Sequence, residues 1–397
     1  PLLRTPKTGK WNARYWKKYT QKLTKQKLHI VSLDVPFPAD YGGAIDIFYR
    51  LKALHKLGFD LTLHVFEYGR GKQAELDKFA KVIYYPRKKN IFQLFGSRPF
   101  IVSSRRSKAL LANLLQDNSP IIFEGLHTTW YLENEEIQQR LTFVRTHNVE
   151  HEYYSGLKNN ASFLKRFYFY QEAKKLKRYQ TILAKCKYVL AIKTEDAEYL
   201  KKFHSNVHIL PASIPDIIGE FLPVKRYSLF HGNLSVKENE SAAIWIIHAL
   251  KNVIDPTFPL VIAGKNPTKK LQEMCRNEKI ELFANPSEKE LHKLVQEAQI
   301  HVLHTSIAAG VKLKLLACIM SSGQILVNDK MVLGSMLEKF CTIAKDAKEF
   351  KIDYIGLQNS VLSKEEFVQR AQFIQANFNN AQNCSLIQKI IKYENSL

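Results

Sequence analysis

The chain has 397 residues, of which 45% are hydrophobic, and it carries a formal net charge of +22. A chain of this length is too long for one ordinary hydrophobic core and predicts two domains. No apolar run approaches the ~20 residues that span a bilayer, which excludes a membrane-spanning helix, and the charge predicts a polyanionic neighbour: nucleic acid, an anionic membrane surface or phosphorylated substrates.

The cysteines are scattered along the chain, with no CxxC motif and no paired spacing: Cys186, Cys275, Cys318, Cys341 and Cys384. This pattern favours reduced, partly buried thiols over a disulfide framework or a zinc site. We also find no secretory signal with an apolar core near the first residue. These features predict a cytoplasmic protein.

Residues 1–27 form a basic aromatic tail with nine Lys or Arg and no acid. Its large apolar side chains recur at near-helical spacing: Trp11, Tyr15, Trp16, Tyr19 and Leu23. One interpretation is a basic amphipathic helix that lies on an anionic membrane. The other is a solvated, poorly ordered tail.

From Leu28 onward, short apolar runs alternate with amphipathic stretches, as is typical of a parallel sheet covered by helices on both faces. The first half predicts strands at 28–34, 60–67, 81–86, 120–126, 141–148, 188–192 and 207–211, and helices at 44–57 and 163–186. The next residues hold two prolines and a glycine and predict a linker at 212–226.

The same alternation restarts after the linker. It predicts strands at 227–234, 259–266, 279–286, 300–305 and 324–327, and helices at 240–253, 268–277, 288–298, from 364, and 386–393. Ser287 with Glu290, and Ser363 with Glu366, form capping boxes at two helix starts. The fold class is therefore α/β, with Rossmann-like domains at 28–211 and 227–362 facing across a cleft, and further helices at 363–397.

Ligands bind such folds at the carboxyl ends of the strands, so the loops after the strands hold the candidate site. Gly42 and Gly43 open a helix and allow close approach to a phosphate, although they match neither GxGxxG nor a P-loop. The loop after 300–305 leads into a helix start carrying Lys312 and Lys314, which either strengthen an anion site or point at solvent. The side chain of Lys265 either points inward and contacts a diphosphate or is exposed to solvent.

The run HNVEHEYY (147–154) places three titratable side chains close to a strand end: His147, Glu150 and His151. One interpretation is a general base, because such side chains have pKa values that are tuned toward neutrality. A second is a metal site, although HxxEH needs a long helix and a distant acid. A third is structural, with Asn148 capping the next helix and the histidines bonded to backbone.

Seven motifs in order resemble the GT-B glycosyltransferases, and among them the bacterial "group 1" enzymes related to glycosyltransferase family 4. They are PFPADYGGAIDIFYRLKAL (36–54), FEGLHTTWYL (123–132), VRTHNVEHEYY (144–154), FHGNLSVKENESAAIWI (230–246), VIAGKN (261–266), GVKLKLL (310–316) and LVNDKMVLGSMLEKFCTIAKDAKEF (326–350). The resemblance implies a nucleotide-sugar donor on the C-terminal domain and an acceptor on the N-terminal one. It also implies no metal and no separate cofactor, because the nucleotide sugar is a substrate.

The loops after the strands, taken together with the resemblance, give the candidate site residues. The donor side comprises Gly232, Asn233, Lys265, Gly310, Lys312 and Lys314; the acceptor side of the cleft comprises Gly42, Gly43, His127, Asn148 and Glu150; His147 and Glu124 are the catalytic candidates. The family commonly has two glutamates eight residues apart in the loop and helix after 300–305, and these positions align with Ala309 and Ala317 here. The family suggests retention at the anomeric centre, an inference that the missing glutamates weaken.

The first functional hypothesis is a cytoplasmic, peripheral membrane glycosyltransferase that acts on a lipid-linked or surface-polysaccharide acceptor. Segment 87–100, with aromatics among cations, fits attachment to an anionic membrane. The alternative from another class is an inert sugar-nucleotide-binding or scaffold protein. A nucleotide-sugar isomerase is a further alternative, and specific nucleic-acid binding is not expected because no recognition helix or RNP-type strand occurs.

Overall fold

The computed structural model describes residues 25–158, 162–216, 219–307 and 312–397. Most of the basic tail, and Ala309 and Gly310 of the candidate site, lie outside these ranges. No helix within them is long and apolar enough to cross a membrane.

Two fully parallel sheets form the centre of two lobes. The first lobe contains β1 (Lys27–Ser32), β2 (Asp60–Glu67), β3 (Lys81–Pro86), β4 (Ile121–Glu124), β5 (Thr142–Arg145), β6 (Tyr188–Ala191) and β7 (Val207–Ile209). The second contains β8 (Lys225–Asn233), β9 (Leu260–Lys265), β10 (Glu281–Ala284), β11 (Ala298–Leu303), β12 (Gln324–Asn328) and β13 (Thr342–Ala344).

The two sheets share one strand order. The first runs β3-β2-β1-β4-β5-β6-β7 and the second runs β10-β9-β8-β11-β12-β13. Each sheet is therefore doubly wound, with helices on both faces. The two Rossmann-like halves predicted from the strand and helix alternation are confirmed.

Helices cover both sheets. They are α1 (Gly42–Lys56), α2 (Ala74–Asp77), α3 (Phe100–Ser103), α4 (Lys108–Leu114), α5 (Glu135–Gln138), α6 (Glu150–Lys158), α7 (Phe163–Tyr179), α8 (Thr194–Leu200), α9 (Lys237–Leu250), α10 (Lys269–Asn277), α11 (Glu288–Glu297), α12 (Leu313–Ile319), α13 (Asp329–Val332), α14 (Ala347–Leu357), α15 (Lys364–Asn377) and α16 (Asn380–Glu394). Short 3-10 helices occur at Ile91–Phe95, Leu126–Glu133, Gln180–Lys185 and Glu338–Phe340.

The central strands are near-continuous apolar runs because both of their faces are buried, as parallel sheets require. All residues of β4, β5 and β6 are buried, and separate clusters of apolar side chains cover the two faces of the first sheet. The second sheet has a large cluster on one face and a smaller one on the other. The cores thus hold the strand ends in place at the edge where the loops form the site.

Both predicted capping boxes are present, at Ser287 and Ser363. Three helix predictions were wrong at an end by three residues or more. The helix predicted at 240–253 is observed at Lys237–Leu250. The helix predicted at 163–186 ends at Tyr179 and continues as a 3-10 helix. The last helix begins at Asn380 rather than 386, because the Asn379 side chain accepts a hydrogen bond from the backbone N–H of Gln382 and caps an earlier start.

The C-terminal helix returns to the first lobe. Cys384, Ile387, Ile390 and Ile391 of α16 are buried in the apolar cluster that also contains residues of β1 and α1. In contrast, α15 contributes Ile374 to the core of the second lobe. The chain therefore crosses between the lobes twice, once after β7 and once between α15 and α16.

Candidate functional site

Each sheet has one point where the strand order reverses, and in open α/β sheets ligands bind outside the carboxyl ends of the strands there. In the first lobe this point lies between β1 and β4, and in the second between β8 and β11. The loops that leave these four strands carry most of the residues singled out from the sequence. Topology therefore places the candidate site at the edge where both switch points open.

A buried network of charged groups lies behind the first-lobe side of the site. Arg50 of α1 donates to Asp46 at 2.8 Å and to Glu124 of β4 at 2.6 Å. Arg145 of β5 lies 3.3 Å from the other oxygen of Asp46. All four side chains are at most 2% exposed, so the charges compensate one another away from water. Two buried atoms of the network, Glu124 Oε1 and Arg145 Nε, have no hydrogen-bond partner in the described residues.

The charges of this network determine the protonation of its carboxylates. Burial alone would raise the pKa of Glu124, but Arg50 and His147 lower it below its usual value. Burial would likewise raise the pKa of Asp46, yet Arg50 and Arg145 lower it strongly. Both carboxylates are therefore ionised over the neutral range.

His147 forms the outermost member of the network. Its Nε2 lies 3.0 Å from Glu124 Oε2 and its Nδ1 lies 3.5 Å from Asp46 Oδ2. Both ring nitrogens thus face carboxylate oxygens of the protein. Of the two catalytic candidates, Glu124 is fully buried and His147 is 9% exposed, so the network positions the loop after β5.

A second pair, His127 and Glu150, lies in the loop after β4 and at the start of α6. The His127 Nδ1 is 3.9 Å from Glu150 Oε1 and is buried without a hydrogen-bond partner in the described residues. Gly125 has a φ of +70°, and a Cβ there would approach this nitrogen to 2.8 Å, so glycine is needed for the ring to fit. Burial raises the pKa of Glu150 to about 8 and keeps that of His127 well below its usual value.

The structure brings the remaining first-lobe candidates to the same edge. Gly42 and Gly43 are the first two residues of α1, and a Cβ at Gly42 would lie 3.9 Å from the Leu313 side chain of the second lobe. Asn148 follows His147 directly and is partly buried just before α6. The first turn of α1 therefore faces the start of α12 across the cleft.

On the second-lobe side, Asn239 of α9 connects the donor candidates. It accepts a hydrogen bond from Lys314 Nζ at 2.9 Å and donates to the Asn233 carbonyl at 3.0 Å. A Cβ at Gly232 would lie 3.2 Å from the same side chain, and Asn233 is the register partner of Lys265. Four of the donor candidates thus converge at the carboxyl edge of β8 and β9.

Lys312 forms an ion pair with a carboxylate that the sequence interpretation did not identify. Its Nζ lies 3.2 Å from Oε1 of Glu238 in the first turn of α9, and the Thr305 hydroxyl donates to the same oxygen. The Glu238 side chain is 19% exposed. An acid in the motif FHGNLSVKENESAAIWI, one turn from the end of β8, was the available signal.

Burial also acts on the neighbouring lysine. It lowers the pKa of Lys314 to about 8, with Lys312 acting in the same direction and Glu238 opposing. The Lys314 ammonium also lies 5.0 Å from the Phe230 ring centre. An anion bound beside it would favour its charged form, which is the electrostatic requirement of a phosphate site.

Contacts between the lobes close the sides of the cleft. Lys265 Nζ, on a side chain that is 46% exposed, lies 3.5 Å from Asp40 Oδ2 of the first lobe. A Cβ at Gly156 of α6 would lie 3.2 Å from Ile307 in the loop after β11. Tyr153 of α6 is mainly buried, and both Glu150 and Glu238 add to the rise in its pKa, so the acids of the two sides approach one phenol.

Within residues that the structure describes, no group of three or more His, Cys, Asp or Glu is arranged to hold a metal ion. All five cysteines are free, and Cys341 is partly exposed while the other four are buried. His151 lies outside the pair described above, with its ring 5.6 Å from that of Tyr199.

No protein-family model matches the chain. The chain is 27% identical over 308 residues to an uncharacterized 44.6 kDa protein in the cps region of Klebsiella pneumoniae, covering 72% of this chain and 79% of that protein.

Among solved structures, a trehalose 6-phosphate synthase from Burkholderia multivorans is similar with a TM-score of 0.63, at 10% identity, covering 94% of this chain and 99% of that one. A glycosyltransferase from Rickettsia africae gives 0.59, at 15% identity, covering 93% and 98%. A trehalose-6-phosphate structure from E. coli bound with UDP-2-fluoro glucose gives 0.61, at 11% identity, covering 92% and 99%. The similarity extends over both lobes.

Proposed function

We propose that this chain, which has the GT-B fold, is a glycosyltransferase that moves a sugar from a nucleoside-diphosphate donor to a lipid-linked or polysaccharide acceptor. One observation carries the proposal: two buried or partly buried lysines and a buried, high-pKa carboxyl group lie on opposite sides of one interlobe cleft. The fold neighbour bound with UDP-2-fluoro glucose makes a UDP-sugar the first donor to test.

The lysines stabilise the departing diphosphate. When the bond from the sugar to the phosphate oxygen breaks, negative charge develops on that oxygen, and fixed cations lower the energy of this state. Lys312 and Lys314 supply the charge, and Asn239 holds Lys314 in place at 2.9 Å. Lys265 faces the same edge from β9.

Glu238 takes over a contact that the group 1 enzymes make through the missing glutamates. Those positions correspond to Ala309 and Ala317, and neither can accept a hydrogen bond from a sugar through its side chain. The hydrogen bonds from Thr305 and Lys312 to the Glu238 carboxylate fall on Oε1. The other oxygen, Oε2, accepts a hydrogen bond from a hydroxyl of the transferred sugar.

The His127–Glu150 pair acts on the acceptor. With a pKa of about 8, Glu150 is mainly protonated near neutral pH and donates as well as accepts hydrogen bonds. His147 and Glu124 act as positioning residues in this proposal, because both His147 ring nitrogens and Glu124 Oε2 face other protein groups and Glu124 is fully buried. The acceptor oxygen forms a bond to the anomeric carbon as the bond from that carbon to the phosphate oxygen breaks. The acceptor proton passes to the departing phosphate oxygen, which leaves with the nucleoside diphosphate.

A second candidate function is an inert sugar-nucleotide-binding or scaffold protein, which the alanines at 309 and 317 favour. Titration calorimetry with UDP-, GDP- and ADP-sugars, followed by donor hydrolysis with and without acceptor, distinguishes the two. We expect binding and turnover of one donor; binding without turnover supports the scaffold. A rearranged nucleotide sugar formed without acceptor supports an isomerase, and no binding to any donor contradicts all three.

The proposal also includes the class of acceptor and the cellular location of the protein. Similarity to a protein in a cps region supports a polysaccharide acceptor. The net charge of +22 supports peripheral attachment to an anionic membrane from the cytoplasmic side.

A further inference from the structure

Six large apolar side chains are strongly exposed on two segments of the first lobe, and we call them the apolar surface patch. They are Ile91, Phe92 and Phe95 of the 3-10 helix and Phe163, Leu164 and Phe167 of α7, and each is at least 63% exposed. Elsewhere in the described ranges, only Val361 and Leu397 among large apolar residues reach that exposure. Groups of large exposed apolar side chains on neighbouring segments, unlike single exposed ones, indicate an interaction site.

The two segments lie beside each other. Lys175 of α7 donates to the Leu94 carbonyl at 2.5 Å, and the Phe100 N–H donates to Glu172 of α7 at 2.6 Å. Leu164 is 11 residues before Lys175, about three helical turns, so both project from one face of α7. The 3-10 helix therefore lies on the same face of α7 as Leu164, about 16 Å further along the helix.

The patch is surrounded by cations. Segments 87–107 and 162–179 together contain twelve Lys or Arg and one acid, Glu172. That acid is 1% exposed and is occupied by the Phe100 N–H and Lys175. Lys88, Lys89, Lys165, Arg166 and Lys174 are exposed around the apolar side chains.

We infer that the apolar surface patch docks on an anionic lipid membrane. Aromatic and aliphatic side chains enter the interface while Lys and Arg bind the headgroups, which is how peripheral proteins attach. A second copy of the chain would bring the same positive charge against this one, and repulsion opposes that pairing. The lipid surface satisfies both the apolar and the electrostatic character of the patch.

The patch is connected to the cleft through α6. Glu150 is the first residue of α6, and the helix packs on α7, with the rings of Tyr154 and Phe169 5.9 Å apart. Nine residues of helix span about 13 Å. The inference deepens the proposed function, on which it rests, because a lipid-linked acceptor held at the membrane would enter the cleft beside Glu150.

The test is co-sedimentation of the full chain with vesicles of phosphatidylcholine and phosphatidylglycerol in equal parts. A variant with Phe92, Phe95, Phe163 and Phe167 each changed to Ser should partition at least about tenfold more weakly. Ile352→Ser with Ile355→Ser is the matched control, because these exposed residues lie on α14 of the other lobe. The control should bind as the wild type does, and pure phosphatidylcholine should bind the wild type weakly.

The wild type and the quadruple serine variant, each also made without residues 1–24, distinguish the contribution of the patch to vesicle binding from that of the tail. The serine changes should reduce vesicle binding with and without the tail. Equal vesicle binding by the quadruple variant, or equal loss in the control, overturns the inference. The inference is also overturned if the wild type does not bind vesicles but forms a dimer through Phe92 and Phe163, as measured by light scattering. Nucleotide-sugar calorimetry on each variant is independent: a chain that binds vesicles but no donor refutes the proposed function and leaves the docking surface intact.

Discussion

The ion pair between Lys312 and Glu238 lies where the proposed function places the donor diphosphate. Lys312→Ala should weaken UDP binding by about 1–3 kcal/mol, because a charge-assisted contact is lost and the Glu238 carboxylate then stands uncompensated beside the phosphate. Titration calorimetry measures the change. Lys348→Ala, at an exposed position of α14, should leave the affinity as it is, and an unchanged affinity for Lys312→Ala would remove this lysine from the site.

Glu238→Gln tests the carboxylate contact separately. If Oε2 accepts a hydrogen bond from a hydroxyl of the transferred sugar, the ratio of the affinity for UDP-sugar to the affinity for UDP should fall about tenfold in the variant. UDP alone should bind as well or more tightly, because a negative charge near the phosphates is gone. Glu240→Gln is the control on the same helix, where the carboxylate pairs with Lys237 and Thr268; an equal ratio in both variants would refute the assignment.

Protonation of Glu150 should make the stability of the protein depend on pH. Burial raises its pKa from 4.5 to about 8, so the folded chain keeps a proton that the unfolded chain releases. Its contribution to stability is fully present below pH 4.5 and is lost as pH rises toward 8. The free energy of unfolding of Glu150→Gln, relative to wild type, should therefore rise by on the order of 1–4 kcal/mol across that interval.

Chemical denaturation at both ends of the interval measures this difference. Glu152→Gln is the matched control, because Glu152 is exposed on the same helix. A flat difference for Glu150→Gln would show that the carboxyl group titrates near its ordinary value.

At the scale of single elements, α16 closes the core of the first lobe. Ile387 is fully buried there, so Ile387→Ala should destabilise the protein by about 2–5 kcal/mol through lost apolar contacts and a residual cavity. Lys389→Ala on the exposed face of the same helix should change stability by less than about 0.5 kcal/mol. Denaturant midpoints compare the two, and similar losses would mean that α16 does not support the core.

The elements also show what sequence reasoning can and cannot reach. Strands 60–67 and 81–86 were predicted with the bounds observed, because apolar runs between charged or turn-forming residues are local signals. The start of α16 was missed, although Asn379 is a local cap, because the apolar periodicity is weak in the first turns of this helix. Strand β13 was not predicted because its three residues include a single large apolar side chain, Ile343, whereas β7 lies in the apolar run VHILP.

The candidate site likewise contains some residues that the sequence could predict and others that it could not. Position after a strand predicted that Lys312, Lys314 and Glu150 lie at the sheet edges. The contact between Glu238 and Thr305 joins residues 67 apart, and Asn239 meets Lys314 across 75. Such contacts depend on how α9 and the loop after β11 are placed side by side, which no short stretch of sequence encodes.

At the scale of the whole molecule, the charge of +22 should bind DNA without sequence preference as well as anionic vesicles. The two activities should separate with salt. DNA binding depends on phosphate contacts and falls steeply as salt is raised, whereas vesicle binding retains the apolar component of the patch. Mobility shifts and co-sedimentation over one salt series test this, and DNA binding that outlasts vesicle binding would favour a nucleic-acid partner.

The return of α16 to the first lobe makes the second lobe an insertion. Residues 225–377, from β8 to the end of α15, are spliced between β7 and α16, and both seams meet at Asn380, whose side chain bonds the backbone N–H and C=O of Ile214. A relative's lobe could therefore be grafted at these two neighbouring seams without opening either sheet. Under the proposed function, such a chimera should take its donor preference from the grafted lobe and its acceptor preference from the host.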